Sequence, residues 1–104
     1  MEPNQSLKIL VLASELAPFA REGELGDVVA ELARALKKLG HDVRVALPRY
    51  ARVSRDGLQT RVASLPVPLD ARQENAAILE GQLDANLPVY FVENARLYER
   101  ERIY

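Results

Sequence analysis

The amino-acid sequence predicts an α/β protein, a three-layer fragment built on a mostly parallel sheet with a β-hairpin excursion. Three observations predict it. Residues 7–13 and 87–92 are apolar at nearly every position, the pattern of strands buried on both faces. Residues 27–39 carry apolar side chains at helical spacing. The first of these strands, the helix and a second, alternating strand follow one another closely enough to form a βαβ unit.

Composition narrows the class. The chain has 104 residues, 48% hydrophobic and 28% charged, with 14 basic against 15 acidic side chains. That length bounds it to one domain at most. The apolar fraction is too high, and the net charge of -1 too small, for a disordered tail. So small a charge also argues against nucleic acid or an anionic membrane as a partner. There is no cysteine, which excludes disulfides, thiolate metal sites and cysteine nucleophiles. No apolar run approaches the roughly 20 residues of a membrane span. The opening Met-Glu-Pro-Asn-Gln-Ser lacks the basic and apolar regions of a secretory signal. The expectation is a soluble, cytoplasmic protein.

Residues 1–6 read as a loose leader. Residues 7–13 (Leu-Lys-Ile-Leu-Val-Leu-Ala) read as a buried strand; a short buried helix has the same composition, but the turn residues that follow favour the strand. Residues 14–26 form a connection long enough to be either a ligand loop or a plain connector. In the helix over 27–39, Val28, Val29, Leu32, Ala33, Leu36 and Leu39 share a face opposite Glu31, Arg34, Lys37 and Lys38. Asp27 is expected to cap its start, and Gly40 to end it. Residues 42–47 alternate as a second strand. Residues 61–69 contain Pro66 and Pro68, which suits only an edge strand. Residues 76–83 alternate, and Asp84-Ala85-Asn86 turns the chain into 87–92, so 58–86 is expected as the hairpin excursion. Residues 94–104 offer no clear element.

The chemistry-bearing side chains are few. Ser14 and Glu15 follow the first strand, at the sheet edge where α/β proteins bind ligands; the plainer expectation is that they end the strand and bond to the loop backbone. His41 is the only histidine and lies in a helix-to-strand turn at the opposite edge, so a structural role outweighs general base or metal ligand. No Ser/His/Asp constellation can be assembled. Arg49, Arg52 and Arg55 either meet an anion or, as spaced loop arginines usually do, stay solvated.

Residues 8–20 (Lys-Ile-Leu-Val-Leu-Ala-Ser-Glu-Leu-Ala-Pro-Phe-Ala), 25–29 (Leu-Gly-Asp-Val-Val) and 39–50 (Leu-Gly-His-Asp-Val-Arg-Val-Ala-Leu-Pro-Arg-Tyr) closely resemble the start of bacterial glycogen synthases and plant starch synthases. Val-Tyr-Phe-Val-Glu-Asn with Leu-Tyr-Glu-Arg, within 89–100, resembles that family's next block. These are the family-five glycosyltransferases of GT-B fold. The resemblance implies that 7–104 is part of an N-terminal Rossmann-like domain. It also implies a retaining transfer of glucose from ADP-glucose to the non-reducing end of an α-1,4-glucan. The family's Lys-x-Gly-Gly-Leu motif meets the donor phosphates and the transferred sugar. Here those positions read Arg21-Glu22-Gly23-Glu24-Leu25.

The resemblance places Arg21, Gly23, Leu25, Gly26 and Asp27 in the cleft for donor and glucan. Arg21 keeps the charge in a different shape. Glu24 adds a Cβ and a negative charge where a second Gly would face the pyrophosphate, and Glu22 adds another carboxylate. Tyr98 and Tyr104 either stack on sugar rings or cover the sheet as half-buried lids, the latter favoured. The family's catalytic-region His and the donor-binding groups of its C-terminal half have no counterpart here. No catalytic residue, metal or cofactor is therefore assigned, and the expectation is a portion of the enzyme inactive alone, whose partners are ADP-glucose and α-glucan once completed. A non-catalytic module binding glucan or a protein is the alternative; a flavodoxin-like domain fits worse. With one amphipathic helix for two sheet faces, self-association through the uncovered face, or a tail packed over it, is also expected.

Overall fold

The computed structural model describes residues 5–98 and Ile103. In chain order the elements are β1 (Lys8–Leu12), α1 (Leu25–Lys38), β2 (Asp42–Pro48), β3 (Gln59–Leu69), β4 (Arg72–Gln82), β5 (Pro88–Glu93) and the single-turn α2 (Ala95–Tyr98). The five strands form one sheet in the order β1-β2-β5-β4-β3. β1, β2 and β5 are parallel; β4 runs antiparallel to β5, and β3 to β4. The C-terminal ends of β1, β2 and β5 therefore share one edge, and the segments leaving them are neighbours in space.

Alternation decides the core. Register brings Val11, Val45, Val89 and Gly81 into one row, and Leu47, Phe91 and Leu79 into the next. Val29, Ala30 and Ala33 of α1 pack on this face. Phe91 is fully buried, and Phe19 stands edge-on to it at 5.1 Å between ring centroids, pinning the 14–26 loop to the sheet. Ile103 joins the same buried cluster. The opposite face carries Leu10, Leu12, Arg44, Ala46 and Tyr90. Arg44 is held above the usual arginine range by its hydrogen bonds to Asp42 and Tyr90.

The long hairpin lies at 59–82, inside the expected excursion, and β3 is an exposed edge that tolerates Pro66 and Pro68. Other expectations need correction. The 7–13 strand reads as buried on both faces, but only the Val11 face of β1 packs against the core; on the other face, which one helix cannot also cover, Leu10 and Leu12 are 58% and 75% exposed, and β1 stands at the sheet edge beside β2. The helix starts two residues before Asp27, with Glu24 as its cap and no side-chain capping bond. The Glu24 carbonyl receives the Asp27 and Val28 N–H groups, so Asp27 sits inside the first turn, where its charge still suits the helix dipole. Residues after Asn94 are not featureless: the Asn94 side chain accepts the Leu97 N–H and starts α2. Gly40 follows the helix with φ of 99°, as a terminating glycine does. Of the segment expected as a leader, residues 1–4 lie outside the described residues, while Ser6 donates to the Gly40 carbonyl.

Candidate functional site

The loop between β1 and α1 is built outward from a buried acid. Ala13 continues the ladder to the Ala46 carbonyl, and Tyr50 donates its hydroxyl to the Ser14 carbonyl at 2.9 Å. Glu15, 2% exposed, turns under the loop. Its Oε1 accepts the backbone N–H of Glu22 at 2.9 Å and of Gly23 at 3.3 Å. A carboxylate of the chain itself thus occupies the concave side of two successive amides, the arrangement that elsewhere holds a bound anion. Of the two expectations for Glu15, bonding to the loop backbone is the one observed.

The residues picked from sequence come together on this loop. Arg21 Nε meets Asp27 Oδ2 at 2.8 Å, both groups about half exposed. Gly23 has open space where a Cβ would stand. Leu25 opens α1 and is exposed. Gly26 is buried for a packing reason: a Cβ there would lie 3.3 Å from the Ala17 nitrogen and the Ala20 carbonyl oxygen, and its own carbonyl accepts the Ala17 N–H. Glu24 has an ordinary helical backbone, φ -86° and ψ -17°, which requires no glycine.

The arginines were expected to be solvated; Arg49 corrects that by burial, and all three are tied to acids of the chain. Arg49 is buried and forms a 2.7 Å ion pair with Glu93, its Nη1 donating to the Val53 carbonyl. Arg55 reaches the same Glu93 oxygen at 3.1 Å. The cause is register: β2 lies beside β5, and the Arg49 N–H bonds the Val92 carbonyl, so residues 44 apart in sequence become neighbours. Arg52 donates to the Arg21 carbonyl at 3.0 Å and approaches Glu22 at 3.5 Å. Glu22 also accepts the Ile103 N–H at 3.0 Å. These links tie the 21–25 loop to two distant parts of the chain, and no local sequence signal announces them. His41 lies at the far edge, its Nδ1 accepting the Leu7 N–H. Tyr98 is half-buried, and Tyr104 lies outside the described residues. Among the described residues no cluster of acids and histidine is suited to a metal.

Residues 8–104 match the family model described as starch synthase catalytic domain. The chain is 43% identical over 104 residues to glycogen synthase 1 of Geobacter metallireducens, covering 96% of this chain and 21% of that protein. It is 42% identical to the glycogen synthase of Moorella thermoacetica, covering 97% of this chain and 20% of that protein. The catalytic domain of starch synthase IV from Arabidopsis thaliana, solved bound to ADP and acarbose, superposes with a TM-score of 0.83 at 30% identity. That superposition covers 96% of this chain and 21% of the solved one, so the chain spans about a fifth of the proteins it matches. With the matched model running from β1 onward and the fold superposing over nearly its whole length on a solved member, the chain belongs to the starch synthase catalytic domain family.

Proposed function

We propose that this chain supplies the N-terminal portion of an ADP-glucose-dependent glucosyltransferase that extends an α-1,4-glucan in the cytoplasm. The observation that carries this is the superposition on a synthase catalytic domain bound to ADP and acarbose, with the 21–27 loop at the C-terminal sheet edge. In this proposal Arg21 lies beside the donor, and the exposed start of α1 lends its N-terminal dipole to the phosphates. Asp27, fixed by Arg21, accepts sugar hydroxyls. Glu15 holds the loop in shape from beneath. The chain alone performs no transfer, because the remaining four-fifths of such a protein must close the cleft. The test replaces the matched segment of the Geobacter metallireducens enzyme with this chain and assays glucosyl transfer from ADP-glucose to glycogen. Transfer supports the proposal; a folded, inactive chimera refutes it.

One observation favours a second reading, a non-catalytic module that binds glucan. Glu22 and Glu24 flank a loop whose two inner amides are already spent on Glu15, which opposes a diphosphate. Titration of the chain with ADP-glucose and with maltooligosaccharides separates the two: binding of the glucan alone selects the module. We further infer that the chain self-associates through the sheet face opposite α1, where Leu10 and Leu12 are exposed.

A further inference from the structure

A cleft of about 360 Å³ opens where β2 and β5 end and the β3–β4 hairpin bends over them. Its walls carry Arg49, Arg55, Ser64, Asn75, Glu93 and Asn94, with alanines between them. The bend has an identifiable cause. Between Thr60 and Val62, and again between Val62 and Leu65, β3 advances one residue more than β4. Two bulges in succession re-aim a strand, a device common beside binding sites. Ser64, next to the second of them, lines the cleft together with Asn94.

The polar groups divide into built and unspent. Arg49 and Asn94 are buried and committed, Arg49 to Glu93 and the Val53 carbonyl, Asn94 to Glu74 and the Asn75 carbonyl. They form the rigid floor. The Ser64 hydroxyl and the Asn75 amide spend no side-chain hydrogen bond on the rest of the described fold. Arg55 uses only its Nε, on Glu93, and is more than half exposed. The cleft thus offers a hydroxyl, a carboxamide and guanidinium N–H groups beside a carboxylate, all within one concave surface. Adjacent hydroxyls of a sugar both donate and accept, and this mixture answers them. Arg49 and Arg55 share the one Glu93 carboxylate, so a small anion is the competing occupant, whereas an apolar ligand would strand the free donors.

We propose that this cleft binds a neutral glucan chain, as a contact separate from the 21–27 loop on the same sheet edge. The choice of glucan rests on the transferase reading above; the polyhydroxylated class rests on the cleft's own groups.

The test is a backbone NMR titration of the full 104-residue chain with maltotriose, and separately with inorganic phosphate. Maltotriose is expected to shift the amides of Ser64, Asn75, Ala77 and Asn94. The Ser64→Ala/Asn75→Ala double variant, whose two sites are exposed and whose spectrum elsewhere reports folding, is expected to bind about tenfold more weakly, the loss of one hydrogen bond or two. Unchanged affinity in a folded double variant overturns the proposal, as does phosphate producing the same shifts at equal or higher affinity. Maltotriose moving the 21–27 amides and not these overturns the cleft and leaves the transferase reading standing; failure of that reading is seen separately, as absent transfer by the chimera.

Discussion

Replacing Glu15 by Ala should loosen the loop on which the candidate site is built. Glu15 is 2% exposed, and its carboxylate accepts two backbone N–H groups, at 2.9 and 3.3 Å. A hydrogen bond to a charged group contributes about 1.5–3 kcal/mol, with the longer one near the lower figure. Removing the side chain also removes the cost of burying its charge, which offsets part of the loss. The net expectation is about 2–4 kcal/mol, a large part of the roughly 5–15 kcal/mol that holds a domain together. At this chain length that lowers Tm by roughly 10–25 °C. Glu15→Gln keeps an acceptor for both amides and should lose about half as much. Urea denaturation measures the stability, and hydrogen exchange at residues 22 and 23 reports the local effect. If Glu15→Ala unfolds within about 0.5 kcal/mol of the parent, or those two amides keep their protection, the carboxylate does not organise the loop.

Other expectations follow from the same structure. Gly26→Ala should cost about 1–3 kcal/mol by thermal denaturation, because its Cβ meets backbone atoms at 3.3 Å that cannot rotate away, whereas Gly23→Ala, facing open space, should stay within about 0.5 kcal/mol. Glu93→Ala takes the carboxylate away from the buried Arg49 guanidinium and should cost about 3–5 kcal/mol in a urea titration. Phe91→Ala should cost about 3–5 kcal/mol through the cavity it leaves under Phe19 and α1. Leu12→Lys, on the exposed sheet face, should abolish concentration-dependent association in sedimentation velocity while leaving the denaturation midpoint nearly unchanged.

Local pattern made much of the fold legible. The period of 27–39 located α1 to within two residues at its start, and the turn residues Asp84-Ala85-Asn86 correctly separated β4 from β5. The cap was misread because Asp27 fits the composition of a capping residue, yet its carboxylate is taken by Arg21 six positions earlier. Asn94 carries the same signal and does cap a helix, but one turn of helix has no periodicity to draw attention to it. At the site, the residues of the 21–27 loop were recognisable because they are contiguous. Glu93, Ser64 and Asn75 were not, since each gains its meaning from a strand far away in sequence.

By itself the sequence determined the kinds of element and the family. Apolar runs, a 3.6 period and a contiguous loop motif are properties of neighbouring residues, and backbone geometry reads them directly. Only the tertiary structure decided where those elements stand. It put β1 at an edge, because a strand's apolar composition does not say how many partners it will have. It turned three loop arginines into a buried pair and two surface clamps, because Glu93 and Glu22 reach them only through the sheet and the folded loop. It also bent the hairpin into a cleft, because a bulge is a mismatch between two strands and is written in neither alone.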